Sequence, residues 1–169
     1  MEGFREKIQE NSQPFRFSVY GDDIHFREMT PSDLDDVMRI ERASFSSPWS
    51  ARFFLDELKV PYARSLLAWV GRRIVGYIIY WQLPGEVDIH NLAVHPAYRR
   101  QGIGRSLLRA AVHEARNRGS SRVTLEVRKS NEAAQRLYQS LSFVARGVRR
   151  GYYSDDGEDA LVMVLEFES

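Results

Sequence analysis

The chain has no cysteine, which excludes a disulfide framework, a thiolate zinc site and a thiol nucleophile able to carry a covalent intermediate. Lysine is scarce, with only Lys7, Lys59 and Lys129 against 21 arginines, and the 24 basic residues nearly cancel the 23 acidic ones to leave a net charge of +1. Such a chain is not an overall polycation that binds nucleic acid through charge alone, so any basic function has to be local. Long apolar runs are missing as well. No stretch approaches the about 20 residues of a membrane helix, and residues 1–23 interleave charge with isolated Phe4, Ile8, Phe15 and Phe17, unlike a signal peptide. What remains is 169 residues, 43% hydrophobic, with a mean hydropathy of -0.42, the profile of one soluble globular domain with a single core. A cytoplasmic location is expected.

Residues 1–23 read as an extension, with weak helical spacing from Glu2 to Asn11 and a short alternating patch ending at Gly21. The domain proper, residues 24–169, is expected to open with a strand from Ile24 to Glu28. Thr30-Pro31-Ser32-Asp33 then places a capping hydroxyl, a first-turn proline and an acidic residue in helix-start order. Leu34, Val37, Met38 and Phe45 mark the buried stripe of that helix. A second helix starts after Trp49-Ser50 and carries Phe54, Leu55 and Leu58 up to Pro61. Strands are expected over Ser65 to Val70, Ile74 to Gln82 and Val87 to Val94. A long helix from Ile103 to Arg118 follows, with Gly119 at its C′ position. A strand from Arg122 to Val127, a helix from Asn131 to Leu141, and strands near Phe143 to Arg149 and Ala160 to Phe167 complete an α/β chain. This order implies one mixed sheet with helices on both faces.

The most informative stretch is Val87 to Leu108, where a strand ends at Val94 and Arg99-Arg100-Gln101-Gly102-Ile103-Gly104 leads into the long helix. A glycine loop running into a helix N-terminus can cradle an anion, because backbone N–H groups converge there and no Cβ blocks approach. Arg99, Arg100 and Arg105 add positive charge. The same two glycines equally suit an ordinary helix start. The spacing fits neither a P-loop, which needs Lys then Ser or Thr after its last glycine, nor a three-glycine dinucleotide fingerprint.

The stretch Arg99-x-x-Gly102-x-Gly104 resembles the acetyl-CoA signature of the GNAT superfamily of N-acetyltransferases. Phe45-Ser46-Ser47-Pro48-Trp49-Ser50, Leu125-Glu126-Val127-Arg128, Asn131 to Tyr138, and Arg149-Arg150-Gly151-Tyr152-Tyr153 followed by Glu158-Asp159-Ala160 resemble the ribosomal-protein-alanine N-acetyltransferases, the RimI type. The likeness runs from about Ile24 to Phe167 and implies a GNAT fold. It also implies transfer of acetyl from acetyl-CoA to a protein α-amine, with an N-terminal alanine of a small-subunit ribosomal protein as acceptor. By the resemblance, Leu92, Ala93 and Val94 offer backbone groups to the pantetheine arm. Arg99, Arg100, Gln101, Gly102, Ile103, Gly104 and Arg105 form the pyrophosphate loop, and Asn131 hydrogen-bonds the cofactor.

Glu126 lies in an alternating strand, with Val123, Leu125 and Val127 on one face and Thr124, Glu126 and Arg128 on the other. Alone it reads as a surface carboxylate; the resemblance makes it the general base that removes a proton from an α-amine of pKa ~8. Tyr138 lies on the apolar stripe of its helix, where a packed aromatic is usual. The resemblance makes it a cofactor contact and the general acid, a phenol of pKa ~10 that donates to the departing thiolate. Asn131 is equally a helix N-cap, and Tyr152-Tyr153 are equally strand aromatics or part of the peptide groove. With no thiol nucleophile, direct transfer in a ternary complex is expected. No metal is expected, since His90, His95 and His113 lack a zinc spacing.

The resemblance breaks at Leu141-Ser142-Phe143, where the family has glycine in the middle, so Ser142 is expected to carry a positive φ. Other functions stay in view: a lysine or small-amine acetyltransferase, a non-catalytic acyl-CoA sensor, and an RNA binder using the arginines of 99–128. Neither direct nucleic-acid binding nor a membrane partner is expected.

Overall fold

The computed structural model of the protein describes residues 16–19 and 22–168, with side chains from residue 24 on. Its strands are β1 Arg16–Val19, β2 Asp22–Glu28, β3 Ala63–Val70, β4 Arg73–Leu83, β5 Glu86–Val94, β6 Arg122–Arg128, β7 Val144–Arg149 and β8 Ala160–Glu166. They make one eight-stranded sheet in the order β1-β2-β3-β4-β5-β6-β8-β7. Among the described strands only β5 and β6 pair in parallel, and a parallel pair needs a crossover. The helix α3, Ile103–Asn117, supplies it. The other helices are α1 Leu34–Ser44, α2 Ala51–Glu57 and α4 Glu132–Gln139. The sheet begins ahead of Ile24, because β2 starts at Asp22 and the alternating patch before it forms β1 on its edge. The helical spacing noted at Glu2 to Asn11 lies outside the described residues.

Layering follows from β4, which is buried continuously from Ile74 to Tyr80, as a strand covered on both faces must be. Val75, Ile78 and Tyr80 join Ile103, Leu107, Leu108 and Ala111 of α3 in one core, which also holds Tyr138 and Phe143. Ile74, Tyr77 and Ile79 join Val37, Met38 and Ile40 of α1 and Phe54 of α2 in the other. Gly76 makes this possible at the centre, since a Cβ there would lie 2.9 Å from the Ala93 carbonyl oxygen and 3.3 Å from Leu107 Cδ1.

α1 starts where Asp33 accepts the Thr30 N–H at 2.8 Å and a two-pronged contact from Arg27 at 2.7 and 2.8 Å. Its stripe departs from the expected one. Phe45 is 36% exposed, because the chain has already left the helix there, with φ -128° and ψ 140°. The inward position is taken by Glu41, 1% exposed.

α4 ends in a Schellman arrangement, with the Ser142 N–H bonded to the Gln139 carbonyl at 2.9 Å and the Phe143 N–H to the Tyr138 carbonyl at 3.1 Å. Ser142 takes φ 69°, the conformation expected from its place in a glycine position. The turn folds Phe143 back on Tyr138, their ring centroids 6.0 Å apart.

Candidate active site

β5 and β6 pair over only four residues, from Glu86↔Arg122 to Ile89↔Leu125. Beyond Ile89 the two strands separate, and each keeps its outer neighbour: β5 continues beside β4 to Val94, and β6 beside β8 to Arg128. A bulge lies at the point of separation. Ile79 faces Asn91 and Tyr80 faces Ile89, so His90 is the extra residue, and such an insertion bends and twists its strand. It also reverses the alternation. Val87 and Ile89 face the α3 core, while Ala93 faces the α1 core.

The slot between the strands is lined by main chain. The His95 N–H bonds the Val75 carbonyl at 2.8 Å, and an antiparallel ladder alternates from there. Ala93 therefore turns its polar groups to β4, whereas the main-chain groups of Leu92 and Val94 turn to the slot. Of the three residues expected to offer backbone groups, Leu92 and Val94 have theirs directed to the slot and Ala93 has its own directed to β4.

At the end of the slot, Arg100 has φ 60° and Gly102 φ 80°, a left-handed pair that curls the chain into the start of α3. Gly102 is the N-cap and has no side chain to close the helix end. The first intrahelical bond runs from the Ser106 N–H to the Gly102 carbonyl at 3.0 Å, leaving the N–H groups of Ile103, Gly104 and Arg105 for a ligand. A Cβ on Gly104 would meet the Val94 and Leu137 side chains at 3.5 and 3.6 Å, ordinary contact distances. Arg100, Gln101 and Arg105 are exposed; among the described residues neither arginine forms a salt bridge. These features fit a pyrophosphate. Ile103 contributes only its main chain, its side chain being 2% exposed in the core. Arg99 turns back, its Nε donating to the Val94 carbonyl at 2.9 Å and its guanidinium to Ser44 Oγ at 3.2 Å.

Glu126 and Tyr138 lie on opposite faces of the sheet. Val123, Leu125 and Val127 pack with Tyr138 in the α3 core, so Glu126 projects from the other face, where its Oε1 lies 3.2 Å from Arg149 Nε. Burial pushes the Tyr138 hydroxyl well above the ordinary phenol range, with Tyr153 adding to it, so it stays protonated at neutral pH. Tyr153 also feels the Glu126 charge. Its own hydroxyl is pushed up to about 12, first by burial, with Glu126 among the neighbours that raise it and Arg128 opposing. Asn131 is the N-cap of α4, its Oδ1 accepting the Ala134 N–H at 3.1 Å, which leaves its amide NH2 for any ligand.

Arg128 holds the β7–β8 loop over this end of β6. Its guanidinium bonds Asp155 at 2.7 Å, Asp156 at 2.9 Å and Glu158 at 3.0 Å and lies 3.9 Å from the Tyr153 ring centroid. Asp88 is a further carboxylate on the open face, pushed up chiefly by burial and drawn down by His90, Arg122 and Arg149. Arg128 and Arg149 figure in the sequence only within the family-like motifs, with no role, and Asp88 and Glu41 not at all; Glu41 alone leaves a local signal, an acid at stripe spacing between Met38 and Phe45. His90 stacks on Trp81 at 4.3 Å and His95 Nδ1 accepts the Ala97 N–H at 3.2 Å. Among the described residues no group of three His, Asp or Glu could hold a metal ion, and no helix is long and apolar enough to cross a membrane.

Residues 34–143 match the model of the acetyltransferase (GNAT) family. The chain is 41% identical over 138 residues, 81% of its length and 91% of the relative's, to a Bacillus subtilis protein provisionally named ribosomal protein bS18-alanine N-acetyltransferase. It is 38% identical over 136 residues, 79% of its length and 91% of the relative's, to the Escherichia coli protein of that name. The crystal structure of the ribosomal-protein-S18-alanine N-acetyltransferase from Escherichia coli superposes with a TM-score of 0.80 at 32% identity, covering 86% of this chain and 95% of that one.

Proposed function

The chain belongs to the acetyltransferase (GNAT) family, and from that membership we propose that it moves acetyl from acetyl-CoA to the N-terminal α-amine of a protein in the cytoplasm. The acceptor its relatives' names point to is the N-terminal alanine of ribosomal protein bS18. The observation that carries the reading is the slot through the sheet, with Glu126 on one face and Tyr138 on the other.

Acetyl-CoA supplies an activated thioester. Its pyrophosphate is held by the N–H groups of residues 103–105 with Arg100 and Arg105, and its pantetheine arm by the slot-facing main chain of Leu92 and Val94. The free amide of Asn131 bonds it near the start of α4. The acceptor comes from the Glu126 face. An α-ammonium of pKa ~8 cannot attack until it loses a proton, and Glu126 takes that proton directly or through water. The neutral amine then forms the C–N bond, the nitrogen sheds its second proton to water, the C–S bond breaks, and the buried Tyr138 hydroxyl passes its proton to the thiolate and recovers one from solvent once CoA has left. The Val94 N–H, turned into the slot, stabilises negative charge on the acetyl oxygen.

The test compares three peptides with acetyl-CoA: one beginning with Ala, one beginning with Ser, and one with a blocked N-terminus and an internal Lys. CoA release confined to free α-amines, with Ala fastest, is the expected result. Acetylation of the internal Lys would move the activity to side-chain amines. Binding of acetyl-CoA without transfer to any of the three would refute the assignment.

A further inference from the structure

Glu41 is a carboxylate buried to 1% exposure in the core between α1 and the sheet. A buried charge is costly unless its lone pairs are filled, and here three donors fill them. Its Oε1 accepts the Trp49 N–H at 2.8 Å. Its Oε2 accepts from Asn91 Nδ2 at 3.3 Å and from the Tyr77 hydroxyl. Burial and the Glu41 charge raise the Tyr77 hydroxyl far above its ordinary range, so it remains a donor.

The three donors come from different parts of the site. Asn91 is the first residue past the bulge, on the stretch of β5 that borders the slot. Trp49 ends the exposed loop that joins α1 to α2, and its ring packs on Phe53 and Phe54 at 4.3 and 5.7 Å. The residue just ahead of this loop, Ser44 at the end of α1, is also tied to β5, through Arg99, which bridges the Val94 carbonyl and Ser44 Oγ. The loop is thus fastened at both ends to the strand that lines the slot, and its middle, residues 45–48, is exposed on the acceptor face.

We propose that Glu41 is a positioning residue for the acceptor: by clamping Trp49 to Asn91 it sets the shape of the 45–50 loop against the slot, and so governs acceptor binding without touching the reacting atoms. A carboxylate is suited to this because it only accepts, and all three neighbours arrive as donors. Glutamine keeps the volume but brings an NH2 against donors, so it releases part of the clamp. The acceptor side of the proposal rests on the N-acetyltransferase reading above.

The test uses Glu41→Gln, with Asn91→Ala as a milder second variant, in the full chain. Three quantities are read: hydrogen exchange at residues 45–50, the Kd for acetyl-CoA, and KM and kcat with the alanine peptide. Expected are faster exchange confined to residues 45–50, an acetyl-CoA Kd within about twofold of wild type, and an acceptor KM raised at least about fivefold with kcat less affected. Asn91→Ala should shift the same quantities by less. Unchanged exchange at 45–50 in a folded Glu41→Gln protein would overturn the proposal. So would exchange rising through α1 and β4 alike, which marks a general packing role. If wild type acetylates no α-amine the catalytic reading fails, while the exchange measurement still decides whether Glu41 holds the loop.

Discussion

Glu126 and Tyr138 stand on opposite faces of the central sheet: Glu126 projects beside Arg149, and Tyr138 is packed behind Val123, Leu125 and Val127. Glu126 is the first residue of β6 past the point where β5 leaves it after Ile89 and the slot opens. A carboxylate and a phenol on opposite faces of a sheet opened in this way suit a reaction in which the nucleophile arrives from one side and the leaving group departs to the other, as the proposed acid–base roles require. Glu126→Gln should therefore lower kcat/KM by about 10²-fold or more. The loss should be largest at low pH, where more of the amine is protonated. Tyr138→Phe should lower kcat while leaving acetyl-CoA affinity within about twofold. Steady-state kinetics across pH, with the binding constant measured separately, distinguish the two roles; wild-type rates in both variants would remove the acid–base assignment.

Gly104 and Gly76 should respond differently to a methyl group. At Gly104 a Cβ meets only side chains at ordinary contact distance, so Gly104→Ala should fold with unchanged or slightly higher stability and yet bind acetyl-CoA at least about tenfold more weakly, a loss of about 1.4 kcal/mol. At Gly76 the Cβ would press on the Ala93 carbonyl oxygen at 2.9 Å, so Gly76→Ala should destabilise the fold by about 1–3 kcal/mol. Calorimetric melting and titration with acetyl-CoA measure both effects.

Ser142 holds φ 69° at the C′ position of α4. Ser142→Gly relieves the left-handed strain, against the larger unfolded-state entropy of glycine, for a net gain of about 0.5–1 kcal/mol. That corresponds to a Tm rise of about 2 °C for a chain of this size. No change in Tm would mean that the turn tolerates serine without cost.

Acid should loosen the start of α1. Arg27 and Thr30 hold the Asp33 carboxyl down at about 2, from 3.8. A depressed folded-state pKa gives stability that is fully present above the unfolded value and lost as pH falls through the folded one. The window is pH 4 to 2, and the contribution is about 1–2 kcal/mol after screening at the partly exposed Arg27. Asp33→Asn should be less stable at pH 7 and should flatten the stability profile across that window; an unchanged profile would mean that the pair contributes nothing.

The sequence was legible where structure is set locally. The strand, glycine loop and helix from Val87 to Asn117, the N-cap Asn131 and the strained Ser142 are all fixed by neighbours within a few residues, so patterning and cap chemistry suffice. Glu126 was placed on the right face by alternation alone. What stayed hidden depends on pairing between distant segments. The bulge at His90 exists only relative to Ile79 and Tyr80, and it decides which main-chain groups line the slot. Arg149 meets Glu126 because β7 and β6 both flank β8, and Glu41 meets Asn91 across 50 positions. Phe45 was misread because stripe spacing does not reveal that the helix ends one residue earlier.

The most direct test is to incubate the purified protein with acetyl-CoA and unmodified ribosomal protein bS18, and to locate the acetyl group by mass spectrometry. Acetyl on the α-amine of the N-terminal alanine, absent with Glu126→Gln, is the predicted result. Acetyl on lysine side chains, or an unmodified bS18 in the presence of a protein that binds acetyl-CoA, would contradict it.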